Sequence, residues 1–156
     1  MDKVKATVIA ALSVLMSWLG ILAIPVLLLV GCNIIDYITG LMAAKFREDG
    51  GISSYKSIRG IYKKIGMWML VIVGAFADVL IQYSVECAGI EIAVPFVVAT
   101  VVAVWLVVNE LISILENLKD SGVKIPPFLM PLMKYINRKV EDKAKLPEET
   151  QEVTGE

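Results

Sequence analysis

ATVIAALSVLMSWLGILAIPVLLLVGCNIIDYITGLMAA, residues 6–44, runs for 39 residues with a single charge, Asp36. An element of a soluble domain keeps a polar face toward water, and this stretch has none. As one straight helix it would reach about 58 Å, against a hydrocarbon core of about 30 Å. Two shorter helices, about 6–22 and 25–45, use that length, with the break between Leu19-Gly20 and Ile24-Pro25. Proline suits the first turn of the second helix. Trp18 falls near an expected membrane interface. One kinked span with a protruding N-terminal arm is the alternative. The basic start (Lys3, Lys5) resembles a leader, but the apolar run does not stop after 7–15 residues, so it reads as retained membrane sequence.

Working outward, the pattern repeats. Among 15 basic and 16 acidic residues, only Asp78, Glu86, Glu91 and Glu110 fall in residues 65–115. Apolar residues make up 57% of the 156, against roughly 45–50% in soluble domains. The fold class is therefore an all-α integral membrane protein. A net charge of −1 gives no case for a nucleic-acid partner. The absence of histidine removes His-ligated metal sites and imidazole general bases. No G-x-S-x-G, Walker A or Cys/His cluster is present, so neither an enzyme nor a cofactor is expected. Cys32 and Cys87 read as incidental, with intermolecular pairing through Cys87 as the alternative.

Residues 65–83 and 92–115 are each long enough to cross a bilayer. The segment 45–64 carries Lys45, Arg47, Lys56, Arg59, Lys63 and Lys64 against Glu48 and Asp49. The link 84–91 carries only Glu86 and Glu91. The positive-inside rule puts the first in the cytoplasm and the second outside. Lys119, Lys124, Lys134, Arg138 and Lys139 put the C-terminus inside as well. Lys3 and Lys5 favour an inside N-terminus and hence four crossings; three crossings place it outside. One membrane domain spans residues 1–145, with further helices at about 54–83, 92–120 and 127–145, and 146–156 reads as a disordered acidic tail.

Local punctuation fits these bounds. Asp49-Gly50-Gly51 is a turn, Ser53 or Ser54 is a candidate N-cap, and Gly122 sits where a helix C-cap would, ahead of Pro126-Pro127. Beyond the prolines, Phe128, Leu132, Ile136 and Val140 recur every four residues. This C-terminal amphipathic helix reads as lying on the inner leaflet, or as a solvated helix packed on nothing. Tyr37, Tyr55, Tyr62, Tyr83 and Trp68 read as interfacial anchors.

Three acids lie inside the apolar runs, each on a stripe of small or polar residues at helical steps of three and four. The stripes are Asn33, Asp36, Gly40 and Ala43; Gly74, Asp78 and Gln82; and Ala99, Ala103, Glu110, Ser113 and Asn117, with Leu106 among them; Thr39 and Asn109, next to stripe residues, are further candidates. Small and polar residues let membrane helices pack closely and bond across the contact. The same stripes could line water once copies assemble, or form a proton or ion site. Asp36 and Glu110 lie near enough to their span ends to snorkel. Lys45, Arg47, Arg59, Lys63 and Lys64 form a basic cytoplasmic rim.

Taken in order, Asp36-Tyr37-Ile38-Thr39-Gly40, Ser53-Ser54, Gly60-Ile61-Tyr62-Lys63-Lys64, Asp78, the run from Asn109-Glu110 to Glu116-Asn117, and Gly122-Val123-Lys124-Ile125-Pro126 resemble a known family. It is the phage-lysis and toxin-secretion holin family of Gram-positive bacteria and their phages, which includes the clostridial toxin-export holin. The resemblance covers about residues 25–140. Tyr62 departs from it, standing where the family often has arginine. The resemblance implies a homo-oligomer in the bacterial cytoplasmic membrane that opens lesions at a set time. It implies a functional partner, endolysin or an exported toxin, and leaves an antiholin open as a regulator. A small ion or proton channel or transporter using the intramembrane acids is the competing reading, and a membrane anchor or adaptor is a third. A transporter would show paired broken helices, for which only Pro25 and Pro95 speak.

Overall fold

A computed structural model describes residues 2–46, 54–91 and 95–144, and among them every regular element is helical. α1 (Asp2–Leu19) passes through a single 3₁₀ turn, Gly20–Leu22, into α2 (Ala23–Ala44). Then follow α3 (Ser54–Cys87), α4 (Val97–Asp120) and α5 (Leu129–Ala144). Three stretches are long and apolar enough to cross a membrane: Lys3–Ala44, Ile58–Cys87 and Val97–Asp120.

The first stretch departs from the expected pair of separate crossings. Its break falls at Gly20, whose φ of +52° only glycine adopts freely, while Pro25 lies buried in the first turn of α2. Of α1, only Met16 and Leu19 are even half buried, so it packs through its last turn and does not return along α2. The contact there is Trp18 on Phe96, rings edge to face with centroids 5.3 Å apart. Beyond its basic start, α1 exposes apolar side chains on several sides, among them Val8, Ile9, Leu12, Val14 and Leu15, as a helix facing lipid would.

α4 is the hub, packing against α2, α3 and α5. Its buried stripe, Ala99, Ala103, Leu106, Glu110, Ile114 and Asn117, follows steps of three and four. The 3₁₀ turn answers with Leu22, α2 with Leu29, Cys32, Asn33, Thr39 and Ala43, and α3 with Met67, Val71 and Asp78. The outer faces of α2 and α3 are apolar and exposed, among them Ile34, Ile38, Met69, Val73, Phe76 and Leu80.

α4 begins at Val97 instead of near 92, because Phe96 takes a left-handed conformation (φ 44°) that interrupts the helix. α3 runs on to Cys87, placing that exposed cysteine at a helix end and not within a loop. The end of α4 is closed by Gly122 (φ +83°), whose N–H reaches the Lys119 carbonyl at 2.9 Å, while Val123 N–H reaches Leu118 at 3.0 Å. The expected turn at 49–51 and the tail 146–156 lie outside the described residues, as does Ser53; α3 starts at Ser54.

α5 is where the fold departs most from expectation. It neither stands free nor presents the face anticipated from Phe128 and Leu132, both of which are exposed. It turns back along α4 with Met130, Met133, Ile136, Asn137 and Val140 half buried. The four-residue spacing drifts around a 3.6-residue helix, so only Ile136 and Val140 of the anticipated stripe meet α4.

Candidate functional site

Two polar constructions join the spans. The larger one brings together α2, α3 and α4. Lys64, at the start of the apolar part of α3, donates from Nζ to Asp36 Oδ2 on α2 at 2.8 Å and to Glu110 Oε2 on α4. Asn117 on α4 donates from Nδ2 to Asp36 Oδ1 at 3.1 Å and to Thr39 Oγ1 at 3.4 Å. Thr39 Oγ1 in turn donates to the Asp36 carbonyl at 3.1 Å. The Asn33 amide, oriented to satisfy both its neighbours, donates to Glu110 Oε2 at 3.1 Å and accepts from Trp68 Nε1 at 3.2 Å.

Burial makes this network consequential. The Glu110 side chain is 1% exposed, those of Asp36 and Lys64 15% and 17%. A lone carboxylate at such depth would be expensive, and a pair survives only when hydrogen bonds fill its remaining sites. Here one ammonium serves two carboxylates, and the Asn117 and Asn33 amides each donate one further bond to a carboxylate oxygen. Glu110 Oε1 has no hydrogen-bond partner among the described residues, and Lys63 Nζ stands 4.0 Å from it. It borders a groove of about 540 Å³ between α3 and α4, lined also by Asn109, Ser113 and Glu116.

The second construction sits toward the opposite end of α3 and α4. Asp78 accepts the Val98 N–H on Oδ1 and the Ala99 N–H on Oδ2, both at 2.8 Å. The first amides of α4 have no helical partner of their own, and Phe96 at the N-cap offers no side-chain acceptor. A carboxylate from the neighbouring helix does the work of an N-cap residue and complements the helix dipole. One turn earlier, Gly74 makes the approach possible: a Cβ there would stand 2.9 Å from Ala99 Cα.

The candidates read from the sequence thus divide. Asn33, Asp36, Thr39, Glu110 and Asn117 share the network. Gly40 lies beside it, with space for a Cβ 3.6 Å from Asn117 Nδ2. Gly74 and Asp78 belong to the α4 cap. Gln82 bonds Glu86 at 2.8 Å along α3, outside either construction, and Asn109 and Ser113 border the groove. Of the basic rim, Lys45, Arg59 and Lys63 are exposed, Arg47 lies outside the described residues, and Lys64 is the network's central cation. Lys64 ends a basic run and so resembles its exposed neighbours in sequence; its helical offset from Met67, Val71 and Gly74 carries the signal that it points inward. Trp68, read as an interfacial anchor, is a donor to the network.

α5 adds a third polar surface. Trp105 Nε1 on α4 donates to Glu141 Oε1 at 2.9 Å. This bond fixes an antiparallel register in which Glu141 lies fifteen residues, about 22 Å, from the Asp120 end of α4. Arg138, Lys139, Asp142 and Lys143 lie near the same level and are exposed. A charge facing lipid at the centre of a bilayer costs at least ~2.5–3.5 kcal/mol.

Residues 13–138 match the family model described as the bacteriophage holin family. The match reaches further toward the N-terminus than the motifs do, taking in the last part of α1. An uncharacterized protein of Clostridium perfringens (strain 13 / Type A) is 31% identical over 130 residues, 82% of this chain and 87% of its own length. An uncharacterized 14.9 kDa protein in the nagH 3' region of Clostridium perfringens is 31% identical over 133 residues, covering 84% and 91%. An uncharacterized protein of Halalkalibacterium halodurans is 36% identical over 123 residues, covering 78% and 82%. No solved structure matches.

Proposed function

The chain belongs to the bacteriophage holin family, and we propose that it acts as a holin. It accumulates in the bacterial cytoplasmic membrane, associates with copies of itself, and opens a lesion at a set time. Endolysin, or an exported toxin, then leaves the cell. An antiholin is the regulator this scheme admits. Before a lesion opens, the basic segment 45–64, which runs into the first turns of α3, and the C-terminus face the cytoplasm, following the positive-inside rule.

The observation that carries this reading is the Lys64 network. It turns the charges of three spans toward one another inside a single chain. The outer faces of α2 and α3 left over are apolar and compatible with lipid. A chain built this way can collect in a membrane without leaking. Opening then requires a rearrangement that brings polar surface to water, which suits a delayed and concerted event.

Inducing the chain in a bacterium tests it. The expected result is a silent interval, then an abrupt loss of membrane potential, advanced by an uncoupler, with release of a co-expressed endolysin that lacks its own export signal. Gradual depolarisation without endolysin release would replace the lesion by an ion or proton channel. No depolarisation would leave an anchor or adaptor.

A further inference from the structure

Most of the network and cap polar groups are committed to partners in the same chain, which raises the question of what faces water when a lesion is open. α5 answers it. Its inward side, Met130, Met133, Ile136 and Val140, is seated on α4, and its outward side carries Lys134, Arg138, Lys139 and Asp142. Trp105 holds Glu141 from α4, and Val101 and Val102 meet Val140 and Ala144 around a groove of about 440 Å³. Since α4 is long and apolar enough to span, the seated helix carries its charges to hydrocarbon depth. Lipid cannot accept that face; water can.

We propose that α5, docked on α4, is the water-facing wall of the lesion, with Arg138, Lys139 and Asp142 turned to the lumen. The inference rests on the lesion-forming reading above. Before assembly the same helix lies at the membrane surface, reached through the non-helical segment 121–128, where Gly122 and the pair Pro126-Pro127 interrupt the chain. The single-chain network then has no need to break for a lesion to be wet, because the polar lining is carried in from the surface.

The test uses the full chain with Cys32→Ala and Cys87→Ser, reconstituted into dye-loaded vesicles of phosphatidylglycerol and phosphatidylethanolamine. The pair Val101→Cys/Ala144→Cys, bridged by a short bismaleimide, holds α5 on α4. The bridged protein is expected to release dye within twofold of the unbridged one. Adding Arg138→Leu/Lys139→Leu/Asp142→Leu to the bridged protein is expected to cut release at least tenfold, while the protein still resists alkaline extraction from the membrane. Loss of release on bridging alone, in protein that remains inserted, would overturn the proposal, since α5 would then have to leave α4. So would undiminished release from the leucine-faced variant. The parent without the changes at Val101 and Ala144 reports on the lesion itself: silence there sinks the lesion reading, and this inference with it, wherever α5 sits.

Discussion

Asp78 Oδ2, on α3, accepts the backbone N–H of Ala99 at the start of α4 at 2.8 Å, and its other oxygen takes the preceding amide at the same distance. A carboxylate read from the sequence as a candidate for lining water therefore holds a helix end. Asp78→Ala is expected to leave both amides without a partner in a buried place, destabilising the fold by about 1–3 kcal/mol. Asp78→Asn keeps one acceptor and is expected to lose less. Hydrogen exchange at Val98 and Ala99 checks this directly: both amides should exchange faster in the alanine variant. Unchanged protection would mean that α4 is capped some other way.

Gly74 and Gly40 look alike in sequence, each lying on a small-residue stripe, yet the structure separates them. A methyl at Gly74 would meet Ala99 Cα at 2.9 Å, whereas one at Gly40 would touch Asn117 Nδ2 at an ordinary 3.6 Å. Gly74→Ala must push α3 from α4 and draw Asp78 off its amides, at a cost of about 1–3 kcal/mol. Gly40→Ala should be neutral or slightly stabilising, because alanine is the better helix former. Thermal unfolding of the two variants in the same detergent checks the contrast, and equal melting temperatures would contradict the close approach at Gly74.

The Trp18–Phe96 ring contact is expected to steady the seating of α1 on the bundle. Edge-to-face pairs contribute about 0.5–1.5 kcal/mol beyond burial. Trp18→Ala should loosen α1 and Phe96 together, while the Lys64 network, at the other end of the spans, stays intact. Limited proteolysis in detergent should then cut within α1 several-fold faster, with α2–α4 still protected. Equal cleavage rates in the parent and the variant would show that this contact does not hold α1.

The spans were legible because hydrocarbon imposes a long-range pattern: charge is excluded over whole stretches, and that exclusion reads directly from residues 6–44, 65–83 and 92–115. The stripes were legible as well, since helical spacing fixes which residues share a face. What each stripe meets was not. Asp36, Glu110 and Asp78 carry the same kind of signal, but two share an ammonium and the third caps a helix; only the relative height of neighbouring spans decides which. Lys64 is the clearest case. A basic residue following Lys63 near a span boundary satisfies the positive-inside rule whether it faces water or reaches inward, and one helical step of about 100° separates the exposed Lys63 from the half-buried Lys64. α5 was legible as amphipathic, but its seat on α4 depends on a bond between Trp105 and Glu141, 36 positions apart, and no local pattern encodes that.

Lys64 also gives the strongest test of what holds the three spans together. Lys64→Met keeps the length of the side chain and removes its charge, leaving Asp36 and Glu110 with only neutral neighbours in place of the ammonium they share. Breaking a buried pair from one side costs about 3–5 kcal/mol. The loss should appear as a lower unfolding midpoint in detergent and poorer recovery of folded protein. Adding Asp36→Asn/Glu110→Gln to Lys64→Met removes the stranded charges while leaving amides that can still bond Asn33 and Asn117. The combined variant should regain at least about 2 kcal/mol of the loss, a non-additivity expected only of groups in one network. If the three changes add like independent sites, the charges are bystanders, and α2, α3 and α4 are joined by packing alone.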